Sequence, residues 1–249
     1  MAELAFDETD AEPEDIMSML AIPKSLDSLR WTQEHACYSL GSCRVPYYDA
    51  LGESLAQHRD TLKNLDLNIR LYQCDHKGHP GNPSARKEDM IETVRDSWRA
   101  DCHLLGSLRD FSALKTLKLN PQILCGDKVR GVAPSRMIEC LPPSLEELVL
   151  YFQFSTVREM RNKQIGEQVW IRELANLIQN STKELPKLRK VSVLEYNQQT
   201  TDEYTFRDVQ TACAEAGIDF ITGENASTWQ TDIPYFLEIL PTRNPGRDF

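Results

Sequence analysis

The stretch Leu114-Lys115-Thr116-Leu117-Lys118-Leu119 carries leucine at its first, fourth and sixth positions. Side chains along a β-strand point alternately to opposite faces, so Leu117 and Leu119 share one face while Thr116 and Lys118 share the other. This alternation predicts a strand that buries one face in an apolar core and keeps the other face polar.

The same hexad recurs along the chain. Its copies occupy residues 26–31, 62–67, 114–119, 145–150 and 188–193. Three of them follow a proline-containing phrase that begins at Ile22, Leu141 or Leu185. The short alternating run 218–221, after Gly217, is a candidate sixth copy. Recurrence at this spacing predicts an architecture built from repeated units.

Apolar residues at helical spacing lie between the hexads and predict helices there. The stripes are Tyr48, Leu51, Leu55 and Leu62; Met90, Val94, Trp98 and Leu105; Trp170, Leu174, Leu177 and Ile178; and Phe206, Val209, Ala212 and Cys213. Gly217 suits the position just after the last of these helices. Helices alternating with strands predict an irregular α/β solenoid, with parallel strands on its concave side and helices on its convex side.

The predicted solenoid domain covers residues 21–226. Loop insertions are expected at about 73–87 and 120–135, which lack an apolar period. Residues 1–20 hold seven acidic residues and no Lys or Arg, which predicts a disordered tail. The alternative is a short capping helix that includes the apolar residues Ile16 and Leu20. Residues 227–249 are expected to form a C-terminal cap and tail.

Composition excludes several classes of function. The chain has 249 residues, of which 41% are hydrophobic, and a formal net charge of −10. Binding to nucleic acid is not expected, because phosphate contacts need clustered Lys and Arg. A membrane protein is not expected either, because no run of about 20 apolar residues is present.

The cysteines and the N-terminus indicate the compartment. The seven cysteines are odd in number and include no CxxC pair, which is typical of reduced thiols. The first residues are acidic, whereas an export signal begins with basic and apolar residues. We therefore expect an intracellular protein, in the cytoplasm or the nucleus.

No catalytic, cofactor-binding or metal-binding residue is assigned from the sequence. The GxSxG, HExxH and Walker-type motifs are absent. The best zinc candidates lack the usual pair of close cysteines, so a solvated loop is the preferred interpretation. These candidates are Cys74, His76 and His79, with Cys102 or His103 as a fourth ligand.

The polar residues that alternate with the leucines are the candidate functional residues. They are Ser28, Arg30, Asn64, Asp66, Thr116, Lys118, Glu147, Val149, Lys190 and Ser192. If the strands stack in parallel, these side chains form a mixed-charge ladder on the concave face. Two interpretations stay open, a solvated sheet face and a protein-binding surface with Trp31, Tyr151 and Phe152 as aromatic anchors.

The phrases at 22–31, 111–119 and 141–150 resemble the leucine-rich-repeat region of fungal F-box-like proteins. The likeness covers about residues 22–222. An asparagine often follows the strand in regular leucine-rich repeats, whereas here it does so only at Asn68 and Asn120, which indicates an irregular member of the family. The resemblance implies a curved surface that binds partner proteins. In that family an N-terminal F-box attaches the protein to a ubiquitin-ligase scaffold, but nothing before Ile22 has room for one. We expect either a lost F-box or a truncated or solitary repeat protein.

These observations predict a non-catalytic protein-interaction module that needs no cofactor. The partner is an unidentified protein, and the resemblance implies ubiquitin-ligase subunits and substrate recognition in an adaptor. Two alternatives stay open, an enzyme with an undetected site on a compact α/β fold and a structural scaffold domain.

Overall fold

The computed structural model describes residues 2–7, 13–35, 48–71, 104–125, 136–152, 160–195 and 206–224. Seven strands lie in these ranges: β1 (Ala2–Asp7), β2 (Leu26–His35), β3 (Asn64–Leu71), β4 (Thr116–Leu119), β5 (Glu147–Phe152), β6 (Lys190–Glu195) and β7 (Asp219–Glu224). The same ranges contain six helices: α1 (Pro13–Leu20), α2 (Tyr48–Ala56), α3 (Pro121–Cys125), α4 (Met137–Cys140), α5 (Met160–Glu184) and α6 (Arg207–Ala216).

All seven strands form one open sheet. Their spatial order is their order in the sequence, and each neighbouring pair is parallel. Every predicted hexad contributes to a strand, and the candidate sixth copy at 218–221 lies at the start of β7. The predicted parallel α/β arrangement is therefore confirmed.

The register aligns equivalent hexad positions from strand to strand. The fourth positions form one buried column and the sixth positions a second, parallel one. The first column is Leu29, Leu65, Leu117, Leu148 and Val191, and the second is Trp31, Leu67, Leu119, Leu150 and Val193. Since burying one such side chain contributes about 1.5–3 kcal/mol, these columns are a major part of the core.

The junctions between successive hexads repeat the same hydrogen bonds. The backbone N–H at the second hexad position donates to the second-position carbonyl of the preceding hexad, as from Lys63 to Asp27 at 2.8 Å. Hydroxyls just before two hexads bind the leading leucine of the preceding one. Thr61 Oγ1 donates to the Leu26 carbonyl at 3.0 Å, and Ser144 Oγ donates to the Leu114 carbonyl at 2.8 Å.

The helices share one apolar core with the leucine columns. The predicted residues of α2, α5 and α6 are buried in that core, including Trp170, whereas Leu62 and Leu105 are buried outside helices. Met90, Val94 and Trp98 lie outside the described residues. Gly217 ends α6 with φ +69°, where its N–H donates to the Ala214 carbonyl and the Ile218 N–H donates to the Cys213 carbonyl. This Schellman motif confirms the predicted helix end.

The expectation of a disordered tail over residues 1–20 is wrong for β1, and α1 is the short helix that was the alternative for the end of this segment. Leu4 and Phe6 alternate with Glu3 and Ala5, so β1 pairs with β2 and keeps Glu3 on the polar side of the sheet. Ile16 in α1 is fully buried.

The expectation of a loop over residues 120–135 is wrong for its first part, because Pro121–Cys125 form the helix α3. Proline is well suited to a first helical position such as that of Pro121, and Ile123 and Leu124 of the same helix are buried. The expected loop at 73–87 and the C-terminal cap at 227–249 lie outside the described residues.

Candidate functional site

The strand residues that alternate with the buried leucines lie on one surface of the sheet, here called the polar face. Its first row is Glu3, Ser28, Asn64, Thr116, Glu147, Lys190 and Asp219, in strand order. Its second row is Ala5, Arg30, Asp66, Lys118, Val149, Ser192 and Ile221. All ten residues selected from the sequence occupy these two rows, so the structure brings them together on one surface.

Asp66, in the second row, is the centre of a polar group that combines one hydrogen bond with one ion pair. The Tyr151 hydroxyl donates to Asp66 Oδ1 at 3.0 Å, and Lys118 Nζ lies 3.8 Å from Asp66 Oδ2. Tyr151 belongs to β5 and Asp66 to β3, so the phenol spans the intervening strand β4. The group therefore links three strands on the polar face.

A second ion pair lies in the first row. Lys190 Nζ is 2.7 Å from Glu147 Oε1, and both side chains are partly exposed. The two residues are register partners on β6 and β5, where opposite charges on facing positions are favourable. An exposed pair of this kind contributes about 0–1 kcal/mol to stability, so its main effect is on local charge and orientation.

Further ion pairs stand where the strands begin. Lys63 Nζ lies 2.6 Å from Asp27 Oδ1, and Lys115 Nζ lies 3.0 Å from Glu146 Oε1. The hydrogen bond from Lys115 holds the pKa of Glu146 below its usual value, and the charge of Arg189 acts in the same direction. This edge of the polar face therefore carries charges of both signs, held in pairs.

Val149 and Ser192 are buried, with 4% and 5% exposure, although they lie on the polar face. Their side chains are short. Val149 is the register partner of Lys118 on one side and of Ser192 on the other. The expectation that these two residues contribute contact surface is therefore wrong. They form the floor of the polar face between longer neighbours.

The aromatic residues that were expected to anchor a partner protein are not exposed where the structure describes them. Trp31 is only 1% exposed and lies in the core, so its proposed role at the surface is wrong. The reason is its sixth hexad position, which points toward the leucines. Tyr151 lies on the polar face but is 6% exposed and hydrogen-bonded to Asp66. The side chain of Phe152 lies outside the described residues.

The ten residues selected from the sequence do not include the ones that the two outermost strands add to the polar face. Glu3 and Ala5 extend the rows on β1, while Asp219 and Ile221 extend them on β7, where Ile221 is 46% exposed. The alternation of Leu4 and Phe6 is the signal that would have identified β1.

Two other titratable side chains among the described residues, those of His58 and Cys213, are buried. His58 is buried, and its Nε2 lies 2.9 Å from the Leu20 carbonyl, which joins the end of α1 to the turn after α2. Burial raises the pKa of Cys213 to about 11, so this residue is a protonated thiol near neutral pH.

The described residues contain no cluster of three His, Cys, Asp or Glu side chains able to hold a metal. The five candidate zinc ligands from Cys74 to His103 lie outside those residues. Among the helices in the described ranges, none is both long and apolar enough to traverse a bilayer.

Comparison with known proteins identifies no relative. No protein-family model, no curated protein and no solved structure matches this chain. Functional inference therefore depends on the polar face and on the sequence pattern that produces it.

Proposed function

We propose that this protein is a non-catalytic, intracellular protein-interaction module of leucine-rich-repeat type. Its units stack as an irregular solenoid, and the polar face is the concave surface that binds a partner protein. The observation that carries this proposal is the register of the sheet, which sets two rows of side chains, most of them polar, across seven strands on the face opposite the leucine columns.

The repeated junctions support a solenoid. Equivalent second-position hydrogen bonds join the successive hexads, and two hydroxyls, of Thr61 and Ser144, bind leading leucines in the same way. Strands also neighbour only their sequence neighbours. Both features are those of a chain whose units bury their apolar sides by stacking on adjacent units.

The dimensions of the polar face suit a peptide segment or a helix of a partner. Six strand spacings of about 4.8 Å make the sheet about 29 Å wide, more than twice the diameter of about 10–12 Å of a helix with its side chains. The charges are held by cross-strand pairs, including Asp66 with Lys118 and Glu147 with Lys190. Such fixed, mixed charges favour specific protein recognition over non-specific adsorption.

Exchange of charges within the pairs tests this proposal. The variant combines Asp66→Lys with Lys118→Glu and Glu147→Lys with Lys190→Glu, so each pair keeps opposite charges while the pattern presented to a partner inverts. Because like charges facing each other across an interface cost several kcal/mol, we expect recovery of bound proteins from a native lysate to fall by about tenfold or more.

A matched control carries Glu53→Lys and Arg172→Glu, two exposed helical residues. We expect it to recover the same proteins as the unaltered chain, and urea denaturation should show that both variants are folded. If the inverted variant is folded and recovers those proteins in undiminished amounts, the polar face is not the binding surface.

A role as a ubiquitin-ligase adaptor is a narrower proposal that rests on the resemblance to F-box-like proteins. Cullin-type ligase subunits among the recovered proteins would support it. Recovery of other proteins only would contradict the adaptor role and leave the interaction module in place.

A further inference from the structure

β7 lies at one edge of the sheet. Among the strands that the structure describes, β6 is the one that pairs with it, along one side only. The register between them is continuous over all six residues, from Lys190 with Asp219 to Glu195 with Glu224. The other side of an edge strand presents backbone N–H and C=O groups on which a further extended segment can pair.

One hydrogen bond to β6 shows which of these backbone groups point away from the sheet. The Asp219 N–H donates to the Arg189 carbonyl at 2.8 Å, so residue 219 turns its backbone groups toward β6. Successive residues of a strand turn these groups to alternate sides. The N–H and C=O groups of Phe220, Thr222 and Glu224 therefore point outward, and we call this set the outer edge.

Side chains on both faces of β7 are accessible beside the outer edge. Ile221 is 46% exposed on the polar face. Thr222 is in register with the buried Val193 of the second leucine column, yet it is exposed, and Phe220 is only partly buried. The second column thus ends in an exposed residue, and a further strand beside β7 would continue both faces of the sheet.

β7 lacks the features that prevent pairing at many sheet edges. Natural edge strands often carry lysine, proline or a bulge, each of which hinders the addition of another strand. The sequence of β7 is Asp-Phe-Ile-Thr-Gly-Glu, which has no Lys or Pro and has three consecutive residues of high strand propensity. β1 differs, because its register with β2 shifts between Ala2 and Glu3. Of these two strands, β7 is therefore the better suited to accept another.

We propose that β7 is a second interaction surface, where a partner protein adds an extended, basic segment to the sheet through the outer edge. Such pairing derives affinity from main-chain hydrogen bonds and specificity from alternate side chains. The six residues of β7 span about 20 Å, the length of a partner segment of equal size. This surface is separate from the polar face, and the inference goes beyond the proposed function.

The charges of β7 indicate the chemistry of that segment. The strand begins at Asp219, ends at Glu224 and contains no basic residue. Lys190, the register partner of Asp219 on β6, is already paired with Glu147. Opposite charges on facing strand positions are favourable, and β-branched and aromatic residues pair well across strands. The segment therefore presents Lys or Arg beside Asp219 and β-branched or aromatic residues beside residues 220–222.

A second copy of this chain fits the outer edge less well. Antiparallel pairing of two β7 strands over their full length would place Asp219 of each copy beside Glu224 of the other. Like charges on facing positions are destabilising, and the net charge of −10 adds repulsion between copies. A basic segment of a partner protein meets neither obstacle.

Proline at position 222 tests the outer edge without removing a hydrogen bond to β6. Thr222→Pro deletes one outward N–H, and proline is tolerated in an edge strand at a position whose N–H faces away from the sheet. Thr222→Val is the matched control, because it keeps both the N–H and a β-branched side chain. Urea denaturation verifies that both variants are folded.

The probes are displayed octapeptides, from a library rich in Lys, Arg, Val, Ile and Thr, selected on the intact chain. Fluorescence anisotropy then measures the affinities of the synthesised peptides. Because the loss of the N–H leaves a peptide carbonyl unpaired, we expect binding to Thr222→Pro to be about tenfold weaker than binding to Thr222→Val. Replacement of the basic residues of a selected peptide by Glu should also weaken its binding.

N-methylation of the peptide provides a second measurement, on the unaltered chain. In an extended peptide, alternate N–H groups face β7. Methyl groups on one alternate set of peptide nitrogens should therefore abolish binding, while methyl groups on the other set should be tolerated. If Thr222→Pro is unfolded, this pattern decides alone, and equal effects of the two sets would overturn the proposal.

Other occupants of the outer edge give different results. If the Phe220 and Thr222 amides resist hydrogen exchange in the isolated monomer, another part of this chain occupies the edge. If sedimentation shows a dimer that Thr222→Pro dissociates, a second copy occupies it. Either result overturns the proposal. If every selected peptide binds Thr222→Pro and Thr222→Val equally, β7 accepts no partner strand, and the proposed role of the polar face is unaffected.

Discussion

Asp66 shows how one residue organises a surface. Its carboxylate accepts a hydrogen bond from Tyr151 of β5 and faces Lys118 of β4, while its register partner on β2 is Arg30. A carboxylate that engages several neighbours restricts all of their side chains. Such ordering before binding reduces the entropy cost of recognition, which is the expected property of a specific interface.

The ion pairs of Glu146 and Glu184 make stability depend on pH. Hydrogen bonds from Lys115 and Arg109, respectively, lower the pKa of these carboxyl groups from the ordinary value of 4.5. A lowered folded-state pKa stabilises the folded protein above pH 4.5, and that contribution disappears as the pH falls through the folded-state value. We therefore expect the urea midpoint to decrease more steeply with acidification below pH 4.5 in the unaltered chain than in a Glu146→Gln, Glu184→Gln variant.

The control for this measurement is Glu53→Gln, which alters an exposed carboxylate of α2. Its urea midpoint should follow the pH dependence of the unaltered chain. Equal slopes for the double variant and the unaltered chain would show that the two pairs contribute nothing to acid sensitivity.

At the scale of elements, the packing of α2 depends on a glycine. A Cβ atom added to Gly52 would collide with the carbonyl oxygen of Leu105, in the segment that precedes β4. Backbone atoms cannot move aside as a flexible side chain does. The absence of a side chain at position 52 therefore allows α2 to approach that segment closely.

Gly52→Ala should consequently destabilise the fold, although alanine favours helices. Overpacking of this kind costs about 1–3 kcal/mol, which urea denaturation would measure. Gly223→Ala in β7 is the matched control, because its added Cβ would meet only the Leu194 side chain, at 3.8 Å. Equal stability of the two variants would contradict the close contact between α2 and the backbone at Leu105.

At the scale of the whole molecule, sequential strand order limits how far a perturbation travels. Each strand pairs only with the strands next to it in the sequence. In a stack of repeated units, stability is approximately a sum of local terms and neighbour terms. A cavity near one end should therefore act mainly on that end.

Hydrogen exchange of Leu29→Ala and Val191→Ala tests this property. Leu29 lies in β2 and Val191 in β6, and both are fully buried. Leu29→Ala should cost about 2–5 kcal/mol, with the loss of amide protection concentrated in β1 to β3. Val191→Ala should act mainly on β5 to β7. A uniform loss across all strands in both variants would contradict the proposed solenoid.

Local periodicity was sufficient to predict the strands β2 to β6 and the two faces of the sheet. The alternation of side chains along a strand is a property of the backbone, so Asn64 and Asp66 were assigned to one face and Leu65 and Leu67 to the other. The same reasoning identified the run that begins β7. It failed for β1, where the density of acidic residues outweighed the short alternation of Leu4 and Phe6.

For the hexads of β2 to β6, the sequence by itself determined which positions face the core and which face the other side of the sheet, because that choice depends on near neighbours along the chain. Only the tertiary structure decided which outward residues meet. Tyr151 and Asp66 are 85 positions apart, and the turn containing His58 meets the end of α1 at Leu20 from 38 positions away. Such contacts depend on the order and register of the strands and on the packing of the helices. These arise from burial of the whole core and leave no periodic signal in any one segment.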